Sequence, residues 1–396
     1  MIAERRRDKF FRRSLVHHLR DNKAASTRPE QSYFDFAANF TVRGWTFNAR
    51  RLTLSSVIHA AYPIARKLLF SLNAETAHHA SLAALRFTEK IGLLEKLFPP
   101  LPAAAPIDLM GLKFPNRVGL AAGLDKDGNT IDAFGRLGFG FIEIGTITPR
   151  PQPGNAKPRL FRLIRHEAII NRMGFNNPGI DIGVENVRAH QSFSGPIGFN
   201  IGKNKDTPNE NAAADYLACL EKAYPVADYI AVNLSSPNTP RLRDLQAADT
   251  SARLLEQLKN AQQHLHRQHH RKVPILFKVA PDLTDGQIAD LARVFLDGGL
   301  EGLIATNTTL DRHLVAGHPF ANQAGGLSGK PLFEKSNHVL SAFAAAFSGK
   351  IPIIGVGGIS SREDAEAKLK AGADLIQIYT SFIYHGPGLV RELVSG

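Results

Sequence analysis

The sequence lacks the cysteines of disulfide-bonded proteins and the long apolar runs of membrane-spanning proteins. It contains a single cysteine, Cys219, in 396 residues. One thiol cannot form an internal disulfide or hold an iron–sulfur cluster, so a disulfide-stapled secreted scaffold is excluded and a reducing compartment is favoured. No run of about 18 apolar residues occurs, and no secretory signal pattern follows Met1. We therefore expect neither a transmembrane span nor secretion.

Several catalytic signatures are missing as well. No G-x-G-x-x-G motif lies in the Rossmann position, so nicotinamide binding is not indicated. The G-x-S-x-G motif of acyl-transfer enzymes is also absent. The densest histidine group, His264, His266, His269 and His270, lies in a basic, polar stretch that is typical of a solvated helix face. We expect no metal site.

The positive charge is concentrated at the beginning of the chain. The formal net charge is +12, and residues 1–52 hold 12 Lys and Arg against 5 Asp and Glu. A basic tail ahead of a nearly balanced body predicts a poorly ordered arm over 1–52. A mitochondrial presequence is the alternative, because such segments are also rich in arginine and poor in acid. No nucleic-acid-binding module follows, so nucleic acid is not an expected partner.

Residues 53–105 form a segment with a helical pattern. Apolar side chains recur with helical spacing from Ala61 through Ile64 and Leu68 to Leu72, and Asn73 is a candidate N-cap for a second helix that reaches about Lys90. Prolines at 99, 100 and 102 end the pattern. Two such helices can cap the domain that follows or lie on a membrane surface, and periodicity alone leaves both readings open.

Residues 106–396 show the alternating pattern of a (β/α)8 barrel, also called a TIM barrel. Eight short apolar runs separated by helical stretches predict strands at 118–121, 141–145, 198–201, 229–233, 275–279, 302–306, 353–356 and 375–378. Segments 106–115 and 159–171 are left over as extra hairpins. A doubly wound open sheet is the alternative fold. Polar residues and glycines gather just after the runs, which favours the barrel, because barrels carry their chemistry at the strand C-termini.

The residues after these runs indicate a phosphate site and a polar ligand. Glycines 355, 357 and 358 precede a helix that begins near Arg362, where bare backbone amides can bind a phosphate. Lys126 and Lys278 end or follow strands, and a lysine there is costly unless it meets an anion. Amides that suit a flat heterocycle with carbonyl and N–H groups follow other strands, at Asn171, Asn200, Asn233, Asn238 and Asn307.

Five longer motifs resemble those of the quinone-dependent (class 2) dihydroorotate dehydrogenases. They are GLAAGLDKDG at 119–128, IGTITPRPQPGN at 144–155, INRMGFNN at 170–177, NLSSPNT at 233–239 and ATNTTL at 305–310. The resemblance runs from about residue 55 to residue 393 and leaves the first 50 residues out. It implies a barrel that holds one FMN, oxidises (S)-dihydroorotate to orotate in pyrimidine biosynthesis, and passes the electrons to a membrane quinone.

The resemblance also implies roles for individual residues. Ser236 is the implied base, where the soluble class has cysteine. The implied FMN contacts are Ala122, Gly123, Leu124, Asp125, Lys126, Thr146, Asn200, Asn233, Lys278, Thr306, Gly329, Gly358, Tyr379 and Thr380. The implied substrate contacts are Lys126, Asn171, Arg172, Met173, Gly174, Phe175, Asn233, Asn238, Asn307 and Thr308. His78 and Arg162 are carried over to the quinone entrance. Thr380 replaces a serine that is frequent in relatives and keeps the hydroxyl.

The resemblance to this class implies a function for the helices of 53–105, because the soluble class lacks them. They are expected to rest on the bilayer and open a path for the quinone. The implied location is the cytoplasmic side of a bacterial inner membrane, as a peripheral membrane protein, with the mitochondrial inner membrane as the alternative. A monomer without an iron–sulfur subunit is expected. Two other hypotheses remain: an FMN barrel for another dihydropyrimidine, and a phosphate-binding barrel without redox activity.

The proposed division of the chain makes a prediction about deletions. Removing residues 1–50 should leave dihydroorotate oxidation intact, because the resemblance does not include them. Removing residues 53–98 should abolish quinone reduction, because the helices that receive the quinone would be lost. Steady-state assays of both truncated proteins with dihydroorotate and a quinone test this, and unchanged quinone reduction after the second deletion would refute the docking role.

Overall fold

The computed structural model describes residues 54–101 and 106–395, together with two short strands at 40–42 and 45–47. Of residues 40–42, 45–47 and 54–61, it describes the backbone alone. Strands β1 (Phe40–Val42) and β2 (Trp45–Phe47) pair antiparallel within a unit that ends at Thr53. Apart from these strands, the predicted arm at 1–52 lies outside the described residues. A second compact unit begins at Leu54.

Three helices precede the barrel: α1 (Leu54–Ser71), α2 (Ala74–Lys90) and α3 (Leu93–Leu97). Asn73 caps α2 as predicted, because its side chain accepts a hydrogen bond of 3.0 Å from the backbone N–H of Glu75. The apolar stripe of α1 is not buried against the barrel: Ile64 is 66% exposed and Leu68 is 69% exposed. A helix that merely capped a core would bury these side chains.

Polar contacts hold these helices to the rest of the unit. The hydroxyl of Tyr62 donates to the carbonyl of Ile383 at 2.8 Å, and Arg66 donates to the carbonyl of Tyr384 at 2.8 Å. A buried ion pair joins Glu75 of α2 to Arg159, with 2.7 Å between Oε1 and Nη2. The helical segment is therefore attached through hydrogen bonds and charge as well as through the buried side chains of Leu94 and Phe98, while much of the remaining apolar surface stays exposed.

The rest of the unit is a closed barrel of eight parallel strands with helices around it, as the sequence predicts. The barrel strands are β5 (Val118–Leu120), β6 (Phe141–Ile147), β9 (Ile197–Ile201), β10 (Tyr229–Asn233), β11 (Ile275–Val279), β12 (Gly302–Ala305), β14 (Ile353–Val356) and β15 (Leu375–Ile378). The surrounding helices are α4 (Ile131–Leu137), α5 (Ile180–Ala189), α6 (Ala212–Ala223), α7 (Ala248–His269), α8 (Asp285–Asp297), α9 (Phe333–Phe347), α10 (Arg362–Lys370), α11 (Thr380–His385) and α12 (Pro387–Val394). Four of the eight predicted strands match the observed ones at both ends, three differ by one residue at one end, and β6 is two residues longer than predicted.

Both predicted extra hairpins are present. Strands β3 (Ile107–Leu109) and β4 (Leu112–Phe114) pair antiparallel, and Phe114 packs edge-on against Phe141 with ring centroids 5.2 Å apart. Strands β7 (Leu160–Leu163) and β8 (Ala168–Asn171) join β13 (Gly326–Gly329) in a small antiparallel sheet. The first hairpin therefore packs against the apolar layer of the barrel interior, and the second lies beside the loops that follow the strands.

The barrel interior has an apolar layer and a polar layer. Side chains alternate along a strand, so residues two apart point to the same side. Phe141, Tyr229, Leu276 and Leu375 are fully buried in one apolar cluster. Two residues further along β6, β11 and β15 are the buried polar residues Glu143, Lys278 and Gln377. The polar layer therefore lies nearer the carboxyl ends of the strands, where barrel enzymes bind their ligands.

Candidate active site

A cavity opens at the carboxyl ends of the barrel strands, and most of the predicted site residues line it. These are Ala122, Gly123, Lys126, Thr146, Asn171, Met173, Gly174, Phe175, Asn233, Ser236, Asn238, Lys278, Thr306, Asn307, Thr308, Gly329, Gly358, Tyr379 and Thr380. They follow seven different strands of the barrel and the β7–β8–β13 sheet. The closure of the barrel therefore brings together residues that are up to 258 positions apart in the sequence.

Four other predicted contacts do not line this cavity. Leu124 packs in the core, and Asp125 is buried and accepts hydrogen bonds from the backbone of Asn129 and Thr130 at the start of α4. Burial raises the pKa of Asp125 to about 6. Asn200 lies fully buried beneath the cavity. The side chain of Arg172 lies over the ring of Phe161, 4.7 Å from its centroid. Ligand contacts by these residues stay predictions.

The polar layer beneath the cavity is organised by Glu143. This fully buried carboxylate accepts hydrogen bonds of 2.8 Å from Asn200 and 2.8 Å from Gln377, and Lys278 lies 3.4 Å away. The hydroxyl of Tyr229 donates to its second oxygen at 3.2 Å. Because a buried charge needs partners, these four donors explain how a carboxylate is tolerated inside the barrel.

Glu143 and Gln377 were missed by the sequence reasoning. Glu143 stands inside the run FIEIG that predicts a strand, just as Lys278 stands inside the run ILFKV. A charged residue in a buried strand must have a partner, and this argument applies equally to Glu143 and Lys278. The sequence analysis used it for Lys278 alone. The anion that Lys278 required is supplied by the chain itself, 135 positions away in the sequence.

The glycines form a cradle that a side chain would fill. A Cβ atom on Gly358 would lie 2.5 Å from Cα of Phe333, and one on Gly329 would lie 2.2 Å from the carbonyl oxygen of Glu167. Gly357 and Gly358 both have positive φ angles, of 121° and 76°. Their positions need glycine for the backbone conformation and for the close packing, which leaves the backbone amides open to a ligand.

Several buried polar atoms of the cavity wall are unsatisfied. Asn238 Oδ1, Thr308 Oγ1 and Gln377 Oε1 are buried and have no hydrogen-bond partner within the described part of the chain. Leaving a buried polar atom unpaired costs about 1–3 kcal/mol. Such atoms along one cavity indicate that a polar ligand completes the site.

Ser236 lies in the loop after β10 among amide side chains. Its Oγ accepts a hydrogen bond of 3.2 Å from the backbone N–H of Asn238, whose side chain donates to Asn171 at 3.0 Å. Asn307 donates to the hydroxyl of the preceding residue, Ser235, at 3.0 Å. Within the described residues, no acidic or basic side chain is hydrogen-bonded to the Ser236 hydroxyl. The hydroxyl therefore faces the cavity without a paired acid or base.

Lys126 is a basic side chain that lines the cavity. Burial, together with the positive charge of Arg159, lowers the pKa of Lys126 to about 8. At neutral pH the ammonium group is still protonated, and it gains a counter-charge when an anion enters the cavity. This arrangement suits a small anionic ligand.

The two residues predicted for a quinone entrance lie outside this cavity, at the helical segment. Arg162 of β7 donates to the carbonyls of Leu69 and Leu72 and lies 4.6 Å from the ring centroid of Phe70. His78 on α2 is largely buried, and burial, with the charge of Lys126, lowers its pKa to about 3. His78 is therefore a neutral imidazole at physiological pH.

The described part of the chain offers no metal site, no membrane-spanning helix and no reactive thiol. No group of His, Cys, Asp and Glu side chains in residues 54–101 and 106–395 is arranged to hold a metal ion. Within the same ranges no helix is both long and apolar enough to cross a bilayer. Cys219 is buried in α6, and burial raises the pKa of its thiol well above the usual value. A buried thiol of this kind is not a nucleophile at neutral pH.

These features define the class of protein. It is a (β/α)8-barrel protein with a glycine cradle, lysine side chains and a ring of amides at the carboxyl ends of its strands, which is the arrangement of an enzyme that holds a phosphorylated cofactor and a small anion. The comparisons with known proteins make this class specific. The sequence profile of the dihydroorotate dehydrogenase family matches residues 105–396.

Curated relatives and solved structures agree with that match. A dihydroorotate dehydrogenase (quinone) of Akkermansia muciniphila is 61% identical over 85% of this chain and 96% of the relative, and one of Neisseria meningitidis is 55% identical over 84% and 98%. The crystal structure of DHODH from Eimeria tenella in complex with ferulenol superposes with a TM-score of 0.72, at 36% identity over 80% of this chain and 89% of that one. The chain belongs to the dihydroorotate dehydrogenases, in their quinone-dependent class.

The Glu143–Lys278 pair generates a prediction about stability. Glu143→Gln should lower the free energy of unfolding by about 3–5 kcal/mol, because it leaves the Lys278 ammonium buried without its counter-charge. Adding Lys278→Met to that variant should recover part of the loss. Urea unfolding of the single and double variants, all stripped of small molecules, measures both effects, and a strictly additive double variant would show that the two side chains do not interact.

Proposed function

We propose that this protein oxidises (S)-dihydroorotate to orotate in pyrimidine biosynthesis, with FMN bound in the barrel and a membrane quinone as the final electron acceptor. The observation that carries the proposal is one cavity in which Ser236, Lys126 and the amides lie beside the glycine cradle. The cradle and the reacting groups thus lie close enough for one bound cofactor to meet one bound substrate.

The residues of the cavity fit FMN. Gly329 and Gly358 offer backbone amides for a phosphate, since Cβ atoms are excluded there, and Thr380 at the start of α11 lines the same cavity. Thr146, Asn233, Lys278 and Thr306 line the deeper part of the cavity, and Asn200 holds the Thr146 hydroxyl from beneath at 2.5 Å. The unpaired Oε1 of Gln377 can accept a hydrogen bond from a ring N–H. When bound, FMN supplies the hydride acceptor, which no amino-acid side chain provides.

The substrate would be held by amides and one lysine. Asn171, Asn233, Asn238 and Asn307 offer both donors and acceptors, which match the alternating N–H and C=O groups of a dihydropyrimidine ring. The protonated Lys126 would pair with the carboxylate of the substrate. The backbone of 171–175 and the unpaired Thr308 hydroxyl would complete the contacts.

Ser236 would remove the proton from C5 of dihydroorotate. The Asn238 backbone N–H donates to Ser236 Oγ, so it would stabilise negative charge that develops there as the proton leaves. A serine hydroxyl is a weak base at neutral pH, so the proton must pass on to water or to a neighbouring threonine hydroxyl. Thr308, with its unpaired Oγ1, lines the same cavity.

The helical segment would receive the quinone at the membrane surface. Large apolar side chains of α1–α3 and their connections are exposed: Ile64, Leu68, Leu72, Phe87, Ile91 and Leu93. Exposed Lys67, Lys90 and Lys96 lie on the same helices and suit anionic lipid headgroups. Neutral His78 and the cationic Arg162 would offer hydrogen bonds to quinone oxygens. We place the protein at the cytoplasmic side of a bacterial inner membrane, as a monomer without an iron–sulfur subunit.

The reductive half-reaction tests the proposal. Dihydroorotate added without oxygen should bleach the flavin absorbance of the purified protein, and a soluble quinone should restore it. In Ser236→Ala the bleaching should slow by roughly 10²–10⁴-fold, the usual contribution of a general base.

Reoxidation by quinone is the internal control, because it does not involve the proton at C5 and should be unchanged in Ser236→Ala. A colourless protein would overturn the FMN assignment. A yellow protein that dihydroorotate does not bleach would direct the search to other dihydropyrimidines.

The lowered pKa of Lys126 makes orotate binding depend on pH. Because its pKa is about 8, Lys126 is mostly charged below pH 8 and mostly neutral above it. The affinity for the orotate anion should therefore be constant below pH 8 and fall with each pH unit above it. Titration of the flavin absorbance with orotate between pH 6 and pH 10 measures the dissociation constant. Lys126→Gln should bind orotate weakly at every pH, whereas Lys113→Gln, on an exposed hairpin, should behave as wild type.

A further inference from the structure

The loops after β10 and β12 both carry proposed substrate residues, and the cavity requires a fixed spacing between them. The first loop holds Ser236 and Asn238, and the second holds Asn307 and Thr308. The side-chain hydrogen bond from Asn307 to the Ser235 hydroxyl joins the loops at the cavity wall. A second connection lies behind the wall, and it is made by a residue that no sequence motif indicated.

Arg243 makes this second connection. It lies in a short 3₁₀ turn, Leu242–Gln246, and its side chain is 20% exposed. Its Nε donates to the carbonyl of Ser235 at 3.0 Å, and its Nη2 donates to the carbonyl of Thr308 at 2.8 Å. One planar guanidinium group therefore holds the residue before the proposed base and a proposed substrate contact at the same time.

Asp282 holds the third nitrogen of this guanidinium. Its Oδ2 lies 2.8 Å from Arg243 Nη1, and the carboxylate also accepts from the Thr309 hydroxyl and the backbone of Leu310, at 2.5 Å and 3.0 Å. Burial raises the pKa of Asp282. The hydrogen bonds from Thr309, Lys335, Leu310 and Arg243 outweigh this effect and bring the pKa below its usual value. The carboxylate follows β11, so the cluster joins the ends of three adjacent strands.

We propose that Arg243 is a positioning residue that sets the distance between the Ser236 hydroxyl and the substrate bound at Asn307 and Thr308. The assignment rests on the proposed function. The guanidinium is rigid and planar, so it fixes the separation of the two carbonyls that it binds. Misplacing a reacting group by about 1 Å can cost roughly 100-fold in rate. Arg243 itself does not line the cavity and acts through Ser235 and Thr308.

The test compares Arg243→Ala and Arg243→Lys with wild type in the anaerobic reduction of the bound flavin by dihydroorotate. Lysine can keep the ion pair with Asp282, but its single nitrogen cannot hold both carbonyls in a planar arrangement. We expect the reduction rate constant at saturating dihydroorotate to fall about 10- to 100-fold in both variants. Reoxidation by quinone should be unchanged, because it does not involve these loops.

The amplitude and the rate constant of bleaching separate positioning from stability. A purely structural role would reduce the fraction of loaded protein, and hence the amplitude, but would leave the rate constant per bound flavin at the wild-type value. That result would overturn the proposal, and so would wild-type kinetics of Arg243→Lys. The matched control is Arg241→Ala, which removes an exposed arginine of the same turn and its surface ion pair with Asp244. It should reduce at the wild-type rate.

The outcome for wild type separates this assignment from the proposed function. A wild-type protein whose flavin is not reduced by dihydroorotate would overturn both. A reducible wild type with unaffected Arg243 variants would overturn the positioning role alone.

Discussion

The carboxylate of Glu143, buried inside the barrel, is the constraint on which the site depends. Four side chains from four other strands meet it: Asn200, Tyr229, Gln377 and, as its counter-charge, Lys278 of β11. A buried charge is tolerated only when its partners are held in place, so the carboxylate and its donors fix one another. Two of these donors, Lys278 and Gln377, also line the cavity. The polar layer is thus at once a structural element of the barrel and the surface on which the cofactor would lie.

Above this floor, the site is assembled from loops that are tied together by polar contacts. Asn155 illustrates this, because its side chain donates to the carbonyls of Arg172 and Asn238, in two different loops. Its own carbonyl accepts from Arg159, which forms the buried ion pair with Glu75 of α2. A continuous set of contacts therefore leads from the helical segment to the loop that carries Ser236. In the proposed function, the helices that meet the quinone are anchored to the same elements that hold the substrate.

The chemistry proposed here divides between protein and cofactor in a simple way. The chain offers a cradle, two cations, hydrogen-bonding amides and one hydroxyl, all of which bind, orient or move a proton. None of these groups can accept a hydride, and Cys219 is buried away from the cavity. The unsatisfied atoms Asn238 Oδ1, Thr308 Oγ1 and Gln377 Oε1 are the features that the ligands would complete. The proposed function thus follows from the groups that line the cavity together with the unsatisfied polar atoms that a ligand would pair.

The sequence by itself determined the elements and the residues at their ends. The apolar runs predicted the eight strands, Asn73 predicted the start of α2, and the polar residues after the runs identified most of the cavity wall, because these are local properties of the chain. Tertiary structure alone decided which residues meet: Glu143 with Lys278, Arg243 with the loops of Ser235 and Thr308, and Arg172 with Phe161. It also decided that the stripe of Ile64 and Leu68 faces outward. Periodicity shows that a helix has an apolar face, but it does not show what covers that face. The closure of the barrel decides this, and it also decides which distant charged residue pairs with a buried one.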